Sequence, residues 1–224
     1  MKREETKFYL GTILVLMSYY LIFNLVVRLE FMDQLSDFGF YGIQILLIII
    51  EGIAATVVLV KSQRWKEYGR FQFRWSYLGI FFLSFILMFL WVNITTRIFP
   101  STQNGSAIKE TVANLTGISY FVTRILYGSL IAPIVEELVF RGLLMTALSK
   151  FKKYYIDVTI SSTLFSLIHV LQYGLVLTDF IVYAGAGLLL CMLFRYTRSI
   201  YWSMALHILW NTFLITVSLL VFGY

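Results

Sequence analysis

The chain has 224 residues, 59% of them hydrophobic and only 13% charged, with a mean hydropathy of +0.81. Soluble domains carry about 25% charged residues, so this composition excludes an ordinary soluble domain and defines an integral membrane protein. Its net charge of +6 is no nucleic-acid footprint, because the lysines and arginines sit in short clusters between apolar runs, as in cytoplasmic loops.

A bilayer core of ~30 Å needs about 20 apolar residues as helix. Seven units of that kind follow one another, near residues 8–31, 40–61, 76–98, 117–149, 156–174, 178–195 and 200–222. The expected fold is therefore all-α, a polytopic transmembrane bundle. The first unit is too long for a signal-peptide core and lacks a small-residue cleavage site, so it should stay as a membrane anchor. The fourth is too long for one simple span. Pro133 removes a backbone donor there and predicts a kink or break just before two glutamates, which would add an eighth, short or re-entrant, segment. In the sixth, Ala184, Gly185, Ala186 and Gly187 would let another helix approach closely. With two prolines and no long polar stretch, 1–224 reads as a single membrane domain. Cys191 is the sole cysteine, so no internal disulfide can form.

Basic residues set the expected orientation in the cell membrane. Lys2, Arg3 and Lys7, then Lys61, Arg64, Lys66, Arg70 and Arg74, then Lys150, Lys152 and Lys153, then Arg195 and Arg198 all fall on one side of a seven-span chain. The alternate loops 32–38 and 170–179 hold no lysine or arginine, and 100–112 holds only Lys109. This predicts a cytoplasmic amino terminus and an outside carboxy terminus at Tyr224. No internal repeat of the transporter kind is evident.

Ionisable groups cost ~2.5–3.5 kcal/mol each at a bilayer centre even on lenient scales, so the few within the apolar runs carry the functional question. The chain's two histidines, His169 and His207, both lie in such runs. Neighbouring residues on a helix point about 100° apart, so Glu136 and Glu137 should divide their roles. Glu137 precedes Arg141 by four residues, the favourable order for a helical ion pair, which leaves Glu136 as the free carboxylate able to take a proton from water. His207 and Asn211, spaced i, i+4, present two donors on one face, suited to an oxyanion. His169 can assist a base or bind a metal. Counting ~1.5 Å per residue from the basic ends puts Glu136 and His169 roughly 20 Å deep, Asn211 roughly 16 Å and His207 roughly 10 Å. Glu51, in the second unit, is expected to pair with Arg124 or Arg28, while Phe140 and Phe165 are expected to pack. Nothing around Cys191 marks a nucleophile. The G-x-S-x-G and H-E-x-x-H patterns are absent, and Asp157 and Asp179 fall near span ends, against an aspartyl dyad.

Taken together, Glu136-Glu137-Leu138-Val139-Phe140-Arg141-Gly142, Phe165 with His169, and His207 with Asn211 resemble the three ordered motifs of the CAAX protease and bacteriocin-processing (CPBP, or Abi) family of intramembrane proteases, which includes the prenyl-protein endopeptidases. One departure is Thr197-Arg198-Ser199, where members often carry Thr-Gly-Ser. The resemblance implies variable N-terminal spans over 1–116 and catalytic core helices over 117–222. It further implies that Glu136 and His169 activate a water and that His207 and Asn211 hold the tetrahedral intermediate, at about 3–4 kcal/mol per donor in the best-measured protease. The family is also labelled metalloprotease, and Glu136, His169 and His207 could make a zinc site with one position for water. Both mechanisms stay open, the metal-free one favoured because Asn211 has a role in it. The implied partners are the lipid bilayer and a membrane-bound peptide or lipidated protein. Two alternatives are a non-proteolytic bacteriocin-immunity protein of the same fold and a small proton-coupled transporter.

Overall fold

The computed structural model describes residues 2–99, 106, 115 and 117–222; Lys109, most of the 100–112 loop and Tyr224 lie outside the described residues. Seven principal helices follow in order: α1 Lys2–Asn24, α2 Asp37–Lys61, α3 Trp75–Ile98, α4 Gly117–Met145, α5 Ile156–Tyr173, α6 Leu177–Thr197 and α7 Ile200–Phe222. No strand occurs among the described residues. Five helices, α2, α3, α4, α6 and α7, are long and apolar enough to cross a membrane. The expected count of seven spans is therefore not reached by length and composition. α1 opens with Lys2, Arg3, Glu4, Glu5 and Lys7, and α5 contributes only the shorter apolar stretch Ile156–Leu171.

Local signals set several helix ends. The Ser36 hydroxyl accepts the Gly39 N–H at 3.3 Å and caps α2. α1 stops at Asn24, short of the apolar run that continues to Phe31, and a single 3₁₀ turn follows at Val26–Arg28. At the end of α6, Arg198 stands at φ 52°, ψ 31°, a left-handed conformation that glycine adopts without steric cost. This is the position at which the sequence departs from the family's glycine. Glu67 pairs with its guanidinium across the loop, and that ion pair and the Arg198 N–H bond to Phe194 O at 2.8 Å hold the turn.

Helix α4 is not broken at Pro133. Wide π-helical turns run over Phe121–Ile131 and Leu138–Met145, with an α-helical stretch at Ala132–Glu137 that carries the proline at its start. The backbone stays helical through Ile131 (φ −70°, ψ −51°) and Ala132 (φ −59°, ψ −50°) into the proline, although Pro133 offers no N–H to the turn before it. No eighth segment arises from α4. π turns inside α-helices recur at functional sites, and here they bracket the two glutamates.

α6 is the most enclosed of the five long helices, with 50% of its apolar window buried against 22–28% for the others. It packs on α5 and α3 through the small residues noted in the sequence. A Cβ on Gly187 would meet Ser162 Cα at 3.2 Å, and one on Gly185 would meet Trp91 Nε1 at 2.0 Å. Trp91 Nε1 donates to Ile181 O at 3.0 Å, fastening α3 to α6. Gly185→Ala is expected to push the indole off this seat and lower stability by about 1–3 kcal/mol, read as a fall in thermal midpoint in detergent.

The basic clusters meet at one end of the bundle. Lys150 lies 3.8 Å from Glu5, Arg195 bonds Asp157 at 3.3 Å and the Lys152 carbonyl at 3.1 Å, and Arg64 lies 5.4 Å over the Phe8 ring. Two apolar clusters form the interior. One gathers Val15, Leu59, Val139, Phe140, Leu143 and Phe165; the other gathers Phe81, Met88, Leu190, Trp202, Leu206 and Trp210.

Candidate active site

A cavity of about 550 Å³ opens among these helices, lined by Glu136, Phe165, His169, His207 and Asn211 together with Tyr19, Tyr127 and Tyr183. All four residues expected to do chemistry therefore border one space. The helical turns of α4 run on through Ala147 rather than to residue 149, which leaves Glu136 roughly 16 Å from that end, at the depth expected for Asn211 and still deeper than His207.

His207 is the hub. Its ring is 4% exposed, with Nδ1 at 2.9 Å from Glu137 Oε1 and Nε2 at 3.6 Å from Glu136 Oε2. Glu137 is thus more than the partner of Arg141. Its Oε1 accepts from Arg141 Nη1 at 3.0 Å as well as facing the imidazole. Arg141 Nη2 donates to Gly187 O at 3.0 Å, and its guanidinium lies 4.7 Å over the Phe165 ring. Both Glu137 and Arg141 are fully buried, so charge pairing and hydrogen bonding must offset the cost of removing two ions from water.

His169 faces the same carboxylate from α5. Its Nδ1 bonds Phe165 O at 2.7 Å, which turns Nε2 toward Glu136 Oε2 at 3.9 Å. Since Nδ1 must carry the proton to meet a carbonyl, Nε2 holds the lone pair in the neutral ring. Phe165 packs edge-on to Phe140 at 5.4 Å and lies 4.6 Å from the His169 ring and 5.7 Å from that of His207. Tyr183, from α6, stacks on His169 at 4.4 Å. Asn211 Nδ2 donates to Gly128 O at 2.9 Å, and the amide has a second N–H to offer.

Glu136 Oε2 has no hydrogen-bond partner among the described residues, although it is buried. It is the open acceptor of the site. Glu136, His169 and His207 do not close into a metal-ligand cluster, and no group of three His, Cys, Asp or Glu side chains among the described residues is placed to hold a metal ion. Glu51 is held differently from expectation. Both its oxygens lie 3.0 Å from Ser18 Oγ, while Arg28 Nη2 donates to Leu171 O; a hydroxyl on α1, rather than an arginine, meets this acid.

Sequence reasoning missed Tyr19, Tyr183 and the bond between His207 and Glu137. The tyrosines belong to no spacing pattern and are two among 15.

Comparison with known proteins agrees with the motif reading. Residues 118–213 match the family described as Type II CAAX prenyl endopeptidase Rce1-like, a window that holds all three motifs and every polar group on α4, α5 and α7 described above. This bears out the family resemblance over the part of the chain that builds the site. The chain is 31% identical to the UPF0177 protein YvdC of Lactococcus lactis, over 62% of this chain and 52% of that one. It is 26% identical to the membrane-embedded CAAX protease MroQ of Staphylococcus aureus, over 94% of this chain and 88% of the relative. The match thus spans about half the length of the first relative and most of the second. No solved structure matches.

Proposed function

We propose that the protein is an intramembrane endopeptidase that hydrolyses a peptide bond of a membrane-associated peptide or lipidated protein. The observation that carries this is the convergence of two imidazoles on one unpartnered carboxylate oxygen, Glu136 Oε2, at 3.6 and 3.9 Å beside the cavity. Those separations exceed a direct hydrogen bond and suit a bridging water. In the proposed reaction Glu136 takes a proton from that water, with His169 Nε2 orienting it through its lone pair, and the hydroxide adds to the scissile carbonyl. Asn211 donates its second N–H to the oxyanion. His207 joins it in the doubly protonated form, with Nδ1–H on Glu137 and Nε2–H on the developing charge. Return of the proton from Glu136 to the leaving amine completes the cycle. No step is routed through a metal ion, because the three side chains do not form a ligand cluster.

The basic loops collected at one end of the bundle support a cytoplasmic amino terminus, while the cavity extends from Glu136 toward Arg28, Phe40, Tyr41 and Arg124 near the opposite helix ends. The test uses purified protein in phosphatidylglycerol-containing liposomes with an internally quenched CAAX peptide, prenylated or unmodified. Cleavage is expected from the wild type and from neither Glu136→Gln nor His169→Ala. Activity is expected to survive dialysis against a strong zinc chelator. Loss on chelation with recovery on adding zinc would reject the metal-free route, and cleavage undiminished in both variants would reject the endopeptidase itself.

A further inference from the structure

We propose that Tyr19 is a positioning residue for Glu136, supplied by α1 from outside the family-matched window 118–213; this rests on the endopeptidase function proposed above. The ring is 1% exposed, yet it lines the same cavity as Glu136. Its edge packs on Phe140 at 5.9 Å and 88°, a residue of the motif that carries Glu136 itself. The hydroxyl interacts electrostatically with the Glu136 carboxylate, and in the proposal it donates a hydrogen bond to that group. An ionised carboxylate only accepts, through about four lone-pair sites on two oxygens. A phenol donating to it pins the group and still leaves Oε2 open toward the two histidines, as observed.

The neighbouring residue explains how a helix outside the motif region reaches this point in register. Ser18 Oγ meets both oxygens of Glu51 at 3.0 Å, and Glu51 is 3% exposed. The bond fastens α1 to α2 one residue before Tyr19. Glu51 thereby gains a purpose: it sets the rotation of α1 that aims the phenol at Glu136. Phenylalanine at position 19 would fill the same volume and keep the contact with Phe140, so only the donor would be lost.

Tyr19→Phe is expected to lower kcat about tenfold, the worth of one charge-assisted hydrogen bond, with KM and the thermal midpoint unchanged. Full kcat in Tyr19→Phe, where the wild type cleaves and Glu136→Gln does not, overturns the Tyr19 assignment and leaves the endopeptidase standing. A fall in kcat accompanied by an equal rise in KM or a lower midpoint marks a packing role and overturns it also. A second measurement needs no substrate: infrared spectra of protein carrying ¹³C-labelled glutamate. The carboxyl band missing from Glu136→Gln is expected to shift in Tyr19→Phe, and an unmoved band overturns the proposal whether or not any peptide is cut.

Discussion

Glu136→Gln lowers the rate of peptide hydrolysis by about 10²–10⁴-fold, the range of general-base catalysis, without unfolding the protein. The substitution keeps the shape of the side chain and an oxygen that can still accept from Tyr19. It removes the charge and one acceptor oxygen, so a water between this position and His169 loses its base. Glutamate 136 makes no ion pair with a lysine or arginine among the described residues, in contrast to Glu137, and so its neutral replacement strands no buried cation. Glu136→Asp separates position from chemistry. Shortening by one methylene keeps the acid but draws it back from imidazole nitrogens already 3.6 and 3.9 Å away, and a misplacement of about 1 Å can cost ~10²-fold. Single-turnover rates in liposomes, with circular dichroism as the control for folding, check both variants. A Glu136→Gln protein with wild-type turnover would remove Glu136 from the mechanism.

What could be read before the structure depended on scarcity. Two histidines, a glutamate pair and an arginine stand out in apolar runs because each is costly there, and the i, i+4 spacings of Glu137 with Arg141 and His207 with Asn211 translate directly into shared helix faces. Long-range partners had no such signal. The bond from His207 to Glu137 joins residues 70 apart, and Tyr19 and Tyr183 look like any other aromatic residues of a membrane helix. For Glu51 a buried charge suggests an arginine partner; a serine one helix away holds it instead. The π turns of α4 escaped notice for a different reason. Apolar periodicity is nearly uninformative in a helix that is hydrophobic all round, so nothing in Phe121–Ile131 told a wide turn from a regular one. Helix lengths suffered similarly, since apolar residues continue past the true ends of α1 and α4 into the turns that follow.

Glu137→Gln is the second large effect, and it should damage fold and activity through different bonds. It leaves the fully buried guanidinium of Arg141 with Gly187 O and the Phe165 ring but no counter-ion, and breaking a buried pair from one side costs about 3–5 kcal/mol. At the same time the carboxylate that fixes the His207 ring becomes an amide. An amide carries no charge to balance a doubly protonated His207 and can donate to Nδ1 as readily as accept from it, so the ring is no longer held with Nδ1–H on position 137 and Nε2–H on the oxyanion. In a serine protease the corresponding Asp-to-Asn change behind the catalytic histidine drops kcat by about 10⁴, and a loss between ~10² and ~10⁴ is expected here. The double variant Glu137→Leu with Arg141→Leu separates the two consequences. Both charges are gone, so no ion is stranded, and replacement of buried pairs by apolar side chains is often neutral or stabilising; the thermal midpoint should return to near that of the wild type. Activity should not return, because His207 still lacks its acceptor. Recovery of both together would mean that Glu137 acts only through the stability of the bundle, and that the 2.9 Å contact with His207 has no part in catalysis.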